Sequence, residues 1–105
     1  MPEKLVRDKI PEIIRTRGLE PTVRVAHGDE LDLLMRAKVV EEAKELFSSG
    51  SDDEIADILE VIDALLKLRS VDRSVINDKM HKKREERGGF KRGFVLSIND
   101  ASNID

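Results

Sequence analysis

Cysteine is absent from the chain, and so are Trp and Tyr. The first absence excludes disulfides, zinc–thiolate sites and thiol catalysis. The second leaves three Phe as the only aromatics. The core must therefore be aliphatic, and platforms for stacking nucleic-acid bases are disfavoured. No apolar run approaches the ~20 residues that a membrane span needs. No charged-then-apolar leader opens the chain, so a cytoplasmic protein without a membrane partner is expected. A Gly-x-x-x-x-Gly-Lys-Ser/Thr phosphate loop is also missing, as is any repeat of solenoid length. The net charge of −3 and pI of about 5.5 argue against a stable nucleic-acid partner.

What remains is a chain of 105 residues in which 39% are charged. That length suits one domain, taken here as residues 1–105. Its charges are segregated. The stretch 29–63 carries 12 acidic and 3 basic residues, and 79–92 carries 7 basic and 2 acidic. Such blocks either neutralise each other within a bundle or mark a cation site beside an anion site.

Turn and cap residues divide the chain into four helices. Asp8 is placed to cap a first helix over about 9–17, with Pro11 in its opening turn and Gly18 after its end. Pro21 starts an extended piece, Thr22-Val23-Arg24-Val25, with strand-like alternation. Asp29 is placed to cap a second helix that runs to about Ser48. Ser51 and Glu54 form a capping-box pattern for a third, which runs to about Arg69. Ser70 or Asp72 caps a fourth, which stops at Gly88-Gly89. Phe94-Val95-Leu96-Ser97-Ile98 alternates and can pair with Val23–Val25 as a two-stranded ribbon. The polar tail from Asn99 is expected to fray. The fold class is all-α, a bundle of four to five helices.

Helix three carries the most specific information. At 100° per residue, Glu54 shares an arc with Ile58, Val61, Leu65 and Leu68, and Asp57 lies beside it near Ala64. Glu60, Asp63 and Lys67 fall on the opposite, solvent-facing arc. Two carboxylates thus lie where water is scarce, and an unpaired buried carboxylate is too costly to keep. A position near the helix N-terminus accounts for Glu54 through the dipole, but accounts for Asp57 less well. Helix three is also apolar around most of its circumference, more than one small protomer covers, so oligomerisation is expected.

The second helix supplies a matching set in Glu41, Glu42 and Glu45. Glu42 borders the apolar arc of Met35, Val39, Val40, Ala43, Leu46 and Phe47. The spacing does not decide whether Glu41 or Glu42 joins Glu45. Helices joined by a short loop lie antiparallel, which brings Glu42, Glu45, Glu54 and Asp57 within reach of one another. Hard oxygen donors in this number suit Mg²⁺ or Mn²⁺ rather than zinc. Ordinary pairing with Lys38 and Lys44 is the competing account.

On the fourth helix, Lys79, Lys83 and Arg87 share a face with Ile76 and Met80. This stripe either holds phosphates or lays its stems over the edge of the core. His27 and His81 read as isolated surface residues, and Arg7 and Lys9 either reach a phosphate or, the reading preferred here, are solvated charge.

Glu42-x-x-Glu45 followed by Glu54-x-x-Asp57 resembles the pattern of MazG-like all-α nucleoside triphosphate pyrophosphohydrolases, a superfamily that includes phosphoribosyl-ATP pyrophosphohydrolase. The flanks, Lys4-Leu5-Val6-Arg7-Asp8-Lys9-Ile10-Pro11 and Lys83-Arg84-Glu85-Glu86-Arg87-Gly88-Gly89-Phe90, are similar to those of a small single-domain branch that cleanses noncanonical nucleotides. The resemblance implies Mg²⁺-dependent cleavage of a nucleoside triphosphate to a monophosphate and pyrophosphate. It implies Glu42, Glu45, Glu54 and Asp57 as metal ligands, and Glu41 as a further ligand or water-orienting base. It also implies homodimers or homotetramers. Phosphoribosyl-ATP hydrolysis and a non-catalytic nucleotide-binding module are the alternatives.

Overall fold

A computed structural model describes residues 2–97. Four helices form: α1 (Ile10–Thr16), α2 (Gly28–Ser49), α3 (Asp52–Leu68) and α4 (Arg73–Arg87). The chain divides into two compact units, Met1–Arg73 and Ser74–Asp105. The expected polar tail from Asn99 lies outside the described residues.

The first unit is built on the α2–α3 hairpin, where the helices pack against each other. Its two-residue turn has local causes. Gly50 takes a left-handed conformation (φ 65°) and donates its N–H to the Leu46 carbonyl at 2.8 Å, which closes α2. The Ser51 hydroxyl then accepts from the Asp53 N–H at 3.2 Å and starts α3. Asp52, Asp53 and Glu54 occupy the first turn, where negative charge complements the helix dipole. At the far end, Arg69 reaches back to Asp32 near the start of α2, with Nε and Nη2 at 2.7 and 2.9 Å. This clamp holds the Asp32 carboxyl down at about 2, through the hydrogen bond from Arg69 first and from Arg36 as well.

Two helices end in the same way. Gly18 and Ser70 occupy the left-handed position after α1 and α3 (φ 83° and 54°). At each end the next residue donates back over the last turn, Leu19 to Ile14 at 3.3 Å and Val71 to Leu66 at 2.9 Å. Ser70 therefore closes α3 rather than capping α4, and Asp72 is the residue that precedes α4.

Three expectations are corrected. Asp8 does not cap α1: the cap position falls on Lys9, which makes no side-chain cap bond. Asp29 does not cap α2 either, because the helix starts one residue earlier, at Gly28, after an uncapped His27. Asp29 instead sits inside the first turn with Glu30. The ribbon is absent: no strand occurs among the described residues, and Ile98 lies outside them. Val23 and Val25 are exposed, and so are Phe94, Val95 and Leu96. Alternation alone buries nothing here, and a lone two-stranded ribbon is marginal in water.

α2 has two apolar sides. Leu31, Met35, Val39 and Leu46 are half-buried, whereas Leu33, Val40 and Phe47, seven residues apart, form an exposed stripe on the other side. No hydrophobic side chain among the described residues is fully buried. No helix of the described residues is long and apolar enough to cross a membrane.

Candidate metal centre

Glu42 is the most enclosed charged side chain of the described residues, at 7% exposed. It lies in the middle of the packed side of α2, about two turns from Met35 and one turn from Leu46 along the helix surface. The hairpin sets it against the start of α3, where Glu54 and Asp57 stand one turn apart. Carboxylate oxygens of Glu42, Glu54 and Asp57 all lie within 4.8 Å of one another. One oxygen of Glu42 and one of Glu54 are shielded from solvent and have no hydrogen-bond partner. Two orphaned acceptors in one cluster are an unrelieved cost.

The electrostatics follow from this enclosure. Desolvation pushes the Glu54 carboxyl up to about 7, and the charge of Glu45, the hydrogen bonds with Glu42 and Glu45 and the charge of Asp57 add to it. Glu54 is thus not the cap partner that its spacing from Ser51 suggested. The Ser51 N–H donates to the Ser49 hydroxyl instead, at 3.1 Å. Glu45 is exposed and borders the cluster beside Glu54.

Between Glu41 and Glu42 the packing is unambiguous. Glu41 turns away to Lys4 at 3.1 Å and Lys38 at 2.8 Å. The bonds from Lys38 and then Lys4 hold its carboxyl below the ordinary value. Lys38 also touches the second oxygen of Glu42, at 3.4 Å, so the ordinary pairing expected from spacing is realised on one side of the cluster. Burial pulls the Lys38 ammonium down, and bonds to Glu41 and Glu42 more than reverse this.

Sequence reasoning missed the contacts of the N-terminal arm with the hairpin. Arg7, set aside as solvated charge, donates from Nη2 to Asp57 Oδ1 at 2.7 Å. Residues 2–9 run along the hairpin, pinned by Lys4 on Glu41, by half-buried Leu5 and by Glu3 on Arg24. Arg24 also forks onto Glu30 in α2, at 2.8 and 2.9 Å. No spacing rule links residues 7 and 57, so only the fold reveals the contact.

The remaining candidates fall as follows. Lys79, Lys83 and Arg87 are exposed along α4, on the side that carries half-buried Ile76; α4 belongs to the second unit and its stripe is described within it. His27 is exposed, and His81 pairs with Glu85 at 3.0 Å on the surface of α4. Glu60 is exposed, while Asp63 is taken by Arg73.

Comparison with known proteins adds one partial match. A protein of Mycolicibacterium smegmatis, described as an uncharacterized protein, is 42% identical over 50 residues, which are 48% of this chain and 51% of that protein. The chain thus spans about half the length of the relative it matches. No family model matches the chain, and no solved structure does.

Proposed function

We propose that the protein is a Mg²⁺-dependent nucleoside triphosphate pyrophosphohydrolase that cleanses noncanonical nucleotides, as the resemblance to MazG-like enzymes implies. One observation carries the reading: Glu42 is enclosed, keeps an oxygen without a partner, and stands against Glu54 and Asp57. An enclosed carboxylate with an unpartnered oxygen is costly, and a bound cation offsets that cost. An all-oxygen, all-anionic donor set with no His or Cys fits Mg²⁺ or Mn²⁺.

Glu42, Glu54 and Asp57 hold the metal in this proposal, with Glu45 at its margin. Glu41 is left out of the ligand set because its carboxylate turns away from the grouped oxygens of Glu42, Glu54 and Asp57, toward Lys4 and Lys38. The bound ion supplies charge neutralisation of the triphosphate and a more acidic water. The basic stripe of Lys79, Lys83 and Arg87, described within the second unit, is the proposal's candidate for binding phosphate oxygens. Water adds at the α-phosphorus, the bond to the α–β bridging oxygen breaks, and that oxygen departs with pyrophosphate. The protein's part is placement and electrostatics. The exposed apolar stripes on α2 and α3 are the surfaces through which protomers associate as a homodimer or homotetramer.

The test is a panel of canonical and damaged nucleoside triphosphates with Mg²⁺. Monophosphate and pyrophosphate are the expected products. Orthophosphate and diphosphate, or no turnover of any member, overturn the reading. Lys83→Ala is expected to raise KM several-fold without unfolding the chain, since an exposed lysine contributes little stability. Unchanged kinetics in a Lys79→Ala, Lys83→Ala, Arg87→Ala triple variant remove the stripe from the site.

A further inference from the structure

The contact between Arg7 and Asp57 is the least expected feature of the site, because it places a cation on a carboxylate that a metal needs. The two residues are 50 positions apart, and the bond is short, 2.7 Å. It uses one guanidinium nitrogen; no other acceptor among the described residues engages the rest of the fork. Both side chains keep substantial access to water, 57% and 36%. A pair this exposed is weakly held, because water screens it. A divalent cation carries twice the charge and bonds the oxygen directly, so it displaces a monodentate guanidinium.

Release does not remove Arg7 from the site. Leu5 is half-buried beside Leu34 and Ala37, Lys4 is fixed on Glu41, and Glu3 on Arg24. These anchors hold the arm against the hairpin while the Arg7 side chain swings. A guanidinium freed beside a metal–carboxylate centre faces whatever anion the metal recruits. Its planar fork matches two phosphate oxygens, which a lone ammonium does not.

We propose that Arg7 is an exchangeable counter-ion of this site: it neutralises Asp57 while no metal is bound, and grips a phosphate oxygen of the ligand once the metal takes the carboxylate. The inference rests on the proposed metal-dependent reading and extends it to the N-terminal arm. Arg7 competes with the cation and favours the anion. Removing it therefore moves the two affinities in opposite directions. A strap with a purely structural role moves both the same way or neither.

Calorimetry on the full chain separates these cases. Mn²⁺ alone is titrated first, then the Mg²⁺ complex of inorganic tripolyphosphate. Arg7→Gln is expected to bind Mn²⁺ several-fold tighter than the wild type and the tripolyphosphate complex about tenfold weaker, which is about 1.4 kcal/mol. Arg7→Lys, which keeps the charge but not the fork, is expected to restore the Mn²⁺ affinity and only part of the phosphate affinity. Thermal melts of both variants within a few degrees of the wild type exclude unfolding as the cause. If the wild type binds Mn²⁺ but Arg7→Gln weakens both ligands or changes neither, the counter-ion role is overturned and the metal site stands. If the wild type binds no Mn²⁺, the metal-dependent reading and this extension both fall.

Discussion

Glu42 on α2 and Glu54 on α3 each shield one carboxylate oxygen that no donor reaches, across the same hairpin. The turn at Gly50-Ser51 creates this opposition by folding α3 back on α2. Hydrophobic packing along Met35, Val39 and Leu46 then holds the acids together against their repulsion. Lys38 on Glu42 and Arg7 on Asp57 offset part of that repulsion, and the enclosed oxygens of Glu42 and Glu54 remain a cost to the fold.

The first prediction concerns pH. The Glu54 carboxyl stands at about 7 in the folded chain against an ordinary value of 4.5. The folded state therefore holds this proton more tightly than the unfolded state does. Its contribution is most favourable below about 4.5, declines as pH rises to about 7, and is a constant penalty above that. In metal-free protein, Glu54→Gln is expected to raise the melting temperature at pH 8 and leave it nearly unchanged at pH 4. Melts of both proteins across this range, with EDTA present, check the sign. An equal gain at both pH values removes the enclosed charge as the cause.

Metal addition gives the second. A ligand that binds only the folded state stabilises by mass action, about 2.7 kcal/mol at one hundred times Kd. Mg²⁺ or Mn²⁺ is expected to raise the melting temperature of the wild type, and more at pH 8 than at pH 5.5, where Glu54 is protonated. Glu42→Gln and Asp57→Asn are expected to abolish the gain. Glu60→Ala is expected to keep it, since Glu60 is exposed on the other side of α3. Asp63 is a poorer control because it pairs with Arg73.

Much of this arrangement was legible in the sequence. The helical period put Glu54 and Asp57 on an inward arc and Glu60 outward, which is how they stand. Gly18 and Ser51 marked helix ends because their local chemistry acts within a few residues. The choice of Glu42 over Glu41 was not legible, since both lie beside an apolar arc and only the hairpin packing separates them. The contact of Arg7 with Asp57 was invisible for a stronger reason: the partner is brought near by tertiary structure alone. The ribbon misled because Val23–Val25 and Phe94–Ser97 alternate without a partner to pair with.

Ser70 supplies the third prediction. It sits at φ 54° after α3, a conformation that costs a residue with a Cβ but not glycine. The equivalent position after α1 is already Gly18. Ser70→Gly is expected to stabilise the chain by about 1 kcal/mol, read as a higher urea midpoint at constant slope. A lower midpoint would mean that the serine side chain contributes more than its backbone conformation costs.

The last concerns the outer side of α2. Leu33, Val40 and Phe47 follow one another at intervals of seven residues and are 55%, 53% and 93% exposed. They lie opposite the side that carries Glu42, so α2 presents one apolar face to α3 and another to solvent. On α3, Ile55 and Leu59 add exposed apolar surface one turn apart. Exposed stripes of this kind mark association surfaces, and the oligomer proposed above would cover this one with a second copy. Light scattering at micromolar concentration is expected to give a dimer or tetramer, with a melting temperature that rises with protein concentration. A Val40→Glu, Phe47→Glu double variant is expected to scatter as a monomer and melt lower. Its Mn²⁺ affinity then reports whether one protomer suffices for the metal centre, because neither substitution touches the packed side of the helix. A wild-type monomer whose melting temperature does not depend on concentration would leave the stripe without this role.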